Sequence, residues 1–286
     1  MKADQFTDPI TFHGEGAVWH PGWGGLRVVD MLAGDVLALD EQGRVTRMPT
    51  GSSIAALVRP REAGGWIIAT EREFTLWSAE GEKEWTSAAV TPEGVRLNEG
   101  GCAPDGSLLC GSMAYDQAPG AASLLRLGTD RAVETLFDGV TISNGLAFTA
   151  DGSLLFYADT PTGRVDVFDV SDAQSRTTLA NRRPFVSIPE AAGAPDGLCV
   201  DSEGGIWVAL YGGSAVHHYD ASGDLTEVVE LPASNVTSCT LGGPGLSTLF
   251  ITTSRQGVPA GEQPEAGAVF RGEVATPGLP VRPYAG

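Results

Sequence analysis

The chain of 286 residues holds 36 acidic against 18 basic residues, a formal net charge of −18; that surplus repels phosphate backbones and anionic lipid heads, which excludes nucleic-acid and membrane partners. No run approaches the roughly 20 apolar residues of a membrane span, and the opening MKADQFTDPITFHGEG lacks the apolar core of a secretion signal, so a soluble, cytoplasmic protein is expected. With 38 glycines and 18 prolines interrupting it, the chain has no amphipathic helical stretch of useful length, and the predicted elements are strands.

In chain order, KADQFTDPITF reads as a lone strand, and EGAVWHPGWGGLRVVD from Glu15 as the first of a series of hairpins. A weaker copy, SIAALVRPREAGGWIIAT, starts near Ser53. The third, NEGGCAPDGSLLCGSM from Asn98, places Asp105-Gly106 seven and eight residues on and an apolar run at offset ten. NGLAFTADGSLLFYAD from Asn144 and DGLCVDSEGGIWVAL from Asp196 repeat the same offsets, each with Gly directly after the leading residue; Glu99 stands there in the third copy. SCTLGGPGLSTLFITT from Ser238 is the sixth. Each hairpin is followed by a further strand: DVLALD, FTLWSA, SLLRLG, RVDVFDV, AVHHYD and GAVFRGE. Starts separated by roughly 40 to 50 residues predict an all-β, six-bladed β-propeller of four-stranded blades. A closed array is one unit, so residues 1–286 form a single domain, with KADQFTDPITF pairing beside GAVFRGEV to close the last blade and ATPGLPVRPYAG as a surface tail.

The innermost strand of each blade begins at one mouth of the central channel, and Glu15, Asn98, Asn144 and Asp196 head four of those strands. Two carboxylates and two amides converging in a channel are costly unless something satisfies them. A divalent cation does so, and all-oxygen ligation suits calcium, magnesium or manganese better than a structural zinc. The adjacent His217 and His218 point to opposite faces of a strand and cannot share a metal, and His13 and His20 read as loop hydrogen-bonding groups. Cys102, Cys110, Cys199 and Cys239 show no C-x-x-C pairing and read as free buried thiols. Neither a G-x-S-x-G elbow nor a P-loop is present.

These motifs, in this order, resemble the senescence marker protein, gluconolactonase and luciferin-regenerating enzyme family over nearly the whole chain, from GEGAVWHPGWGGLRVVDMLAGDVLALD to TSCTLGGPGLSTLFITTS. The resemblance implies a metal site in the channel with Glu15, Asn144 and Asp196 as ligands, calcium first and magnesium, manganese or zinc as alternatives. It places Arg96 and Asn98 at substrate-contacting positions. It further implies hydrolysis of sugar-acid lactones, a carboxylic ester hydrolase reaction in carbohydrate metabolism, with Asp196 as general base. Glu99, counted with the substrate residues, stands where the family commonly has Asp. The segment GSMAYDQAPGAASLL is shorter than in the animal members, whose loop supplies an acidic contact over the site; Tyr115 or Asp116 is the substitute here. The expected partner is a small sugar lactone and the expected state a monomer or small homo-oligomer.

Two other readings compete. The same cation could serve phosphotriester or organophosphate hydrolysis. FYADTPTGRVDVFD is also similar to the strand signature of receptor and scaffold propellers, which are interaction modules without acids in register inside the channel.

Overall fold

The computed structural model describes residues 2–172 and 176–286, which hold strands and short 3-10 turns and no α-helix. The chain opens with β1 (Asp4–Gln5). The next four strands, β2 (Gly14–His20), β3 (Gly25–Asp30), β4 (Asp35–Leu39) and β5 (Val45–Pro49), form an antiparallel sheet in chain order, as do β6 (Ala55–Pro60), β7 (Trp66–Thr70), β8 (Phe74–Trp77) and β9 (Lys83–Thr86). Two more four-stranded sheets follow: β10 (Val95–Cys102), β11 (Leu108–Ala114), β12 (Ala122–Leu127) and β13 (Val133–Val140), then β14 (Ser143–Phe148), β15 (Leu154–Asp159), β16 (Arg164–Asp172) and β17 (Thr177–Ser187).

The remaining strands, β18 (Ala194–Val200), β19 (Ile206–Tyr211), β20 (Ala215–Tyr219), β21 (Leu225–Glu230), β22 (Asn235–Gly242), β23 (Thr248–Ser254) and β24 (Val269–Glu273), join β1 in one eight-stranded sheet. The fold is thus propeller-like and all-β, but six separate sheets are not what the backbone forms: four are separate, and the last two meanders are fused through the pair Tyr211 and Asn235. β1 completes the second of these meanders by pairing Asp4 with Arg271 and Gln5 with Phe270 on β24.

The segments read as third strands are β4, β8, β12, β16, β20 and β24, and the Asp-Gly signals are turns in which Asp105 and Asp151 accept from the amides of Ser107 and Ser153. Burial declines outward through each meander. Every residue of β7 is buried, because the sheet is covered on both faces, whereas β5 is almost wholly exposed. The apolar clusters lie between neighbouring sheets; one joins Val29, Leu57, Ile68 and Leu97 from the first three.

Two local features shape the channel. All six first strands carry a register shift near their heads, between Glu15 and Val18, Ala55 and Leu57, Leu97 and Gly100, Ser143 and Leu146, Pro195 and Leu198, and Val236 and Ser238. Each inserts one extra residue, and such a bulge re-aims the side chains beside it. Glycine then lets adjacent first strands approach: a Cβ on Gly145 would lie 2.5 Å from the carbonyl oxygen of Asp196, and one on Gly197 would lie 2.7 Å from Ser238 Oγ.

The C-terminal segment is not a loose surface tail. Ser202 N–H donates to the Pro277 carbonyl, Arg282 to the carbonyls of Thr149 and Ala150, and Ala285 N–H to the Gly106 carbonyl. Tyr284, fully buried, bridges to Arg61 and donates its phenol to the Gly128 carbonyl at 2.8 Å. The segment straps four meanders together because its prolines hold it extended and Tyr284 supplies an apolar anchor with a satisfied polar tip.

Candidate active site

Asn98, Asn144 and Asp196 occupy the same place in their bulges, two residues before Gly100, Leu146 and Leu198; Glu15 lies three before Val18, one step earlier. All four are buried, 4 to 6% exposed. Arg96 donates to Asn98 Oδ1 at 2.6 Å, Asn98 Nδ2 donates to the Ser143 carbonyl at 2.7 Å and approaches Asn144 Oδ1 at 3.3 Å, and Asn144 Nδ2 donates to Thr160 Oγ1 at 2.9 Å. The amides are therefore held in one chain of hydrogen bonds from Arg96 to Thr160, with the Asn144 oxygen on the Asn98 side.

The carboxylates are less well served. Glu15 Oε2 accepts from Gly16 N–H at 3.2 Å, and its Oε1 lies 3.8 Å from His13 Nε2. Asp196 Oδ1 is buried with no hydrogen-bond partner. Burial, then repulsion from Glu99, pushes Glu15 up to about 8; burial, then repulsion from Glu15 and Glu99, raises Asp196 well above the usual carboxylate range. His13, whose Nδ1 meets Ser254 Oγ at 2.7 Å, is pushed down to about 3 by burial and by Arg96, so it stays neutral beside Glu15.

Two buried carboxylates that repel one another, one with an orphaned oxygen, are donors of the kind a hard divalent cation takes. Among the described residues no three His, Cys, Asp or Glu side chains are grouped to hold a metal ion.

Glu99, whose charge acts on Glu15 and Asp196, makes its own ion pair away from the chain of amide bonds. Its carboxylate pairs with Arg59 at 2.8 Å, and both line a cavity of about 470 Å³ bordered by Leu146, Leu198 and the strap residue Val281. The glycine position of the other copies explains this: where Gly145 and Gly197 allow close approach, Glu99 projects into the channel toward the neighbouring sheet. Asp116 caps a local turn by accepting from Ala118 N–H at 3.1 Å, whereas Tyr115 donates to Glu71 Oε1 at 2.6 Å. Glu71, Arg59 and Thr160 have no motif signal; each reaches the site from a sheet other than that of the residue it contacts, or from a turn. His217 and His218 diverge as expected, to Tyr219 and to Asp201. Cys199 and Cys239 lie 4.0 Å apart, sulfur to sulfur, and all four cysteines are free.

Residues 13–255 match the family model described as the SMP-30/Gluconolactonase/LRE-like region. Regucalcin of Sus scrofa is 35% identical over 285 residues, covering 96% of this chain and 95% of that protein. Pentonolactonase XacC of Haloferax volcanii is 34% identical over 287 residues, covering 98% and 97%. Among solved structures, a calcium-binding protein, regucalcin, from Agrobacterium tumefaciens superposes with a TM-score of 0.88 at 25% identity, over 96% of this chain and 94% of that one.

Proposed function

The chain belongs to the SMP-30/gluconolactonase/LRE-like family, and from that premise we propose that it hydrolyses sugar-acid lactones at a divalent-cation site in the channel of a single six-bladed propeller. In such a propeller the eight-stranded sheet comprises two blades whose neighbouring strands, the second of one and the first of the next, touch at Tyr211 and Asn235. The observation that carries the reading is the partnerless Asp196 Oδ1 beside a second buried carboxylate, Glu15.

Glu15, Asn144 and Asp196 would hold the cation, calcium foremost. When bound, it offsets their charge and supplies Lewis-acid polarisation of a carbonyl oxygen. Asp196 takes a proton from the water that attacks the lactone carbonyl carbon; the ring C–O bond then breaks, and the proton goes to the departing ring oxygen, which leaves as a hydroxyl. Arg96 and Asn98 orient the substrate through its hydroxyls, and the hydrogen bond between them fixes Arg96 before substrate arrives. Burial of the whole set excludes bulk water, so the charges act at short range in a poorly screening medium.

An interaction propeller has no use for buried acids without partners, which disfavours that alternative. The test is a panel of neutral aldonolactones, unsubstituted lactones and an activated phosphotriester, assayed after chelation and after return of each divalent cation. Cation-restored hydrolysis that favours aldonolactones supports the reading; preference for the phosphotriester, or no turnover of any lactone, overturns it.

A further inference from the structure

Above the strand that carries Arg96 and Asn98 sits a carboxylate that no motif singled out. Glu71 follows β7, and its backbone carbonyl accepts from Leu97 N–H at 2.7 Å, between those two residues in sequence. The next residue, Arg72, holds the Thr91 carbonyl with Nε at 3.0 Å, and Thr91 Oγ1 holds the Val95 carbonyl at 2.7 Å. The turn bearing Glu71 is thereby fastened to the head of β10. Tyr115 arrives from the same end: it follows β11, whose Met113 pairs with Arg96, and its N–H donates to the Gly94 carbonyl at 3.0 Å.

Both oxygens of Glu71 are taken by hydroxyls, Tyr115 at 2.6 Å and Ser53 at 2.8 Å. Those bonds, with Arg72 and Arg96 nearby, hold the carboxyl below its usual range, so it is an acceptor at neutral pH. Tyr115 is half-exposed, at 51%, and Ser53 is exposed. Exposed hydroxyl bonds to a carboxylate exchange readily with other hydroxyls, because each partner can return to water. A polyhydroxy ring offers the same donors in the same place, and Arg96 beneath supplies the complementary donor fork.

We propose that Glu71 and Tyr115 form a hydroxyl-reading rim over this site, in which the carboxylate accepts from the ring hydroxyls of a neutral polyhydroxy lactone while the phenol donates to them. The rim rests on the lactonase reading for its substrate class and deepens it: its negative charge selects neutral sugar lactones over those carrying a phosphate or a second carboxylate.

The experiment compares the calcium-loaded full chain with Glu71→Ala and Tyr115→Phe on gluconolactone, δ-valerolactone and a gluconolactone phosphorylated at its primary alcohol. Calorimetric binding of gluconolactam, which keeps the hydroxyls and resists hydrolysis, is measured in parallel. Glu71→Ala is expected to lower the ratio of kcat/KM for gluconolactone over δ-valerolactone about 10-fold, chiefly through KM, to raise the phosphorylated-to-neutral ratio, and to weaken lactam binding about 10-fold. Tyr115→Phe should shift the same ratio in the same direction by less, and it decides the matter should the first variant fold poorly. Unchanged ratios overturn the rim. If the native protein hydrolyses no lactone, lactonase chemistry falls alone and the lactam decides: binding weakened in both variants keeps the rim, and equal or absent binding removes it.

Discussion

Asn98 reaches across from β10 to Asn144 on β14, Nδ2 to Oδ1 at 3.3 Å, and so ties the residue bonded to Arg96 to the head of the next sheet. Under the proposed reading, substrate orientation by Arg96 and cation binding by Asn144 would therefore be mechanically linked, since movement of either first strand disturbs both bonds. The link also keeps the Asn144 amide oriented, since its nitrogen is occupied by Thr160.

Asp196→Asn keeps an oxygen for a cation and removes the proton acceptor, whereas Glu15→Gln removes one charge and leaves proton transfer intact. With Asp196 as base, turnover of Asp196→Asn stays about 10²- to 10⁴-fold low at saturating cation, while Glu15→Gln is largely rescued. Steady-state rates across a calcium titration decide. Equal rescue of both makes Asp196 a ligand only.

Arg96→Ala removes one charged hydrogen-bond donor group, worth about 1.5 to 3 kcal/mol when a hydroxyl is read. The loss should fall on polyhydroxy lactones and spare unsubstituted ones, with cation content by mass spectrometry unaltered. An equal loss on both substrates would mean that Arg96 orders the site instead of reading it.

Metal-free protein should lose stability as pH rises from about 6.5 to 8. Glu15 ordinarily titrates near 4.5 and is pushed up to about 8 here, so the folded state holds a proton that the unfolded chain has released; its contribution is present below 4.5 and lost as pH rises through 8. His13 works oppositely, but only between about 3 and its ordinary 6.5. Urea midpoints in chelator should thus fall from about pH 6.5 to 8, and calcium should flatten the decline by offsetting the charge. A midpoint that is level or rising over that interval in chelator contradicts the burial of this acid pair.

Gly145→Ala places a methyl 2.5 Å from the Asp196 carbonyl oxygen and 2.7 Å from Leu198 Cγ, so β14 and β18 must part. A loss of about 1 to 3 kcal/mol in chemical denaturation is expected, together with weaker calcium binding, since the strands carry Asn144 and Asp196. Full calcium affinity in a destabilised variant would show that the ring tolerates the displacement.

Much of this was legible in the chain itself, because strand alternation and turn chemistry are local. Asp105-Gly106 and Asp151-Gly152 announce their turns through side-chain to backbone bonds two residues long, and the repeat of those turns sets the meander and its heads at Asn98, Asn144 and Asp196. Even the glycines after Asn144 and Asp196 were visible, though their purpose, the approach of neighbouring first strands, was not.

What the tertiary structure alone decided is which residues meet across sheets. Glu99 follows Asn98 in sequence, yet its longer side chain, placed where others have glycine, runs to Arg59 on a different sheet. Glu71 is 27 positions from Asn98 and joins its strand only because two turns at one channel mouth are brought together. The last residues read as a tail because nothing near them in the chain could bury Tyr284; the cleft that does so is assembled from segments more than 150 residues away. A repeat specifies each sheet through neighbours in sequence, but the depth and partners of a channel side chain depend on closure of the whole array, which no single repeat encodes.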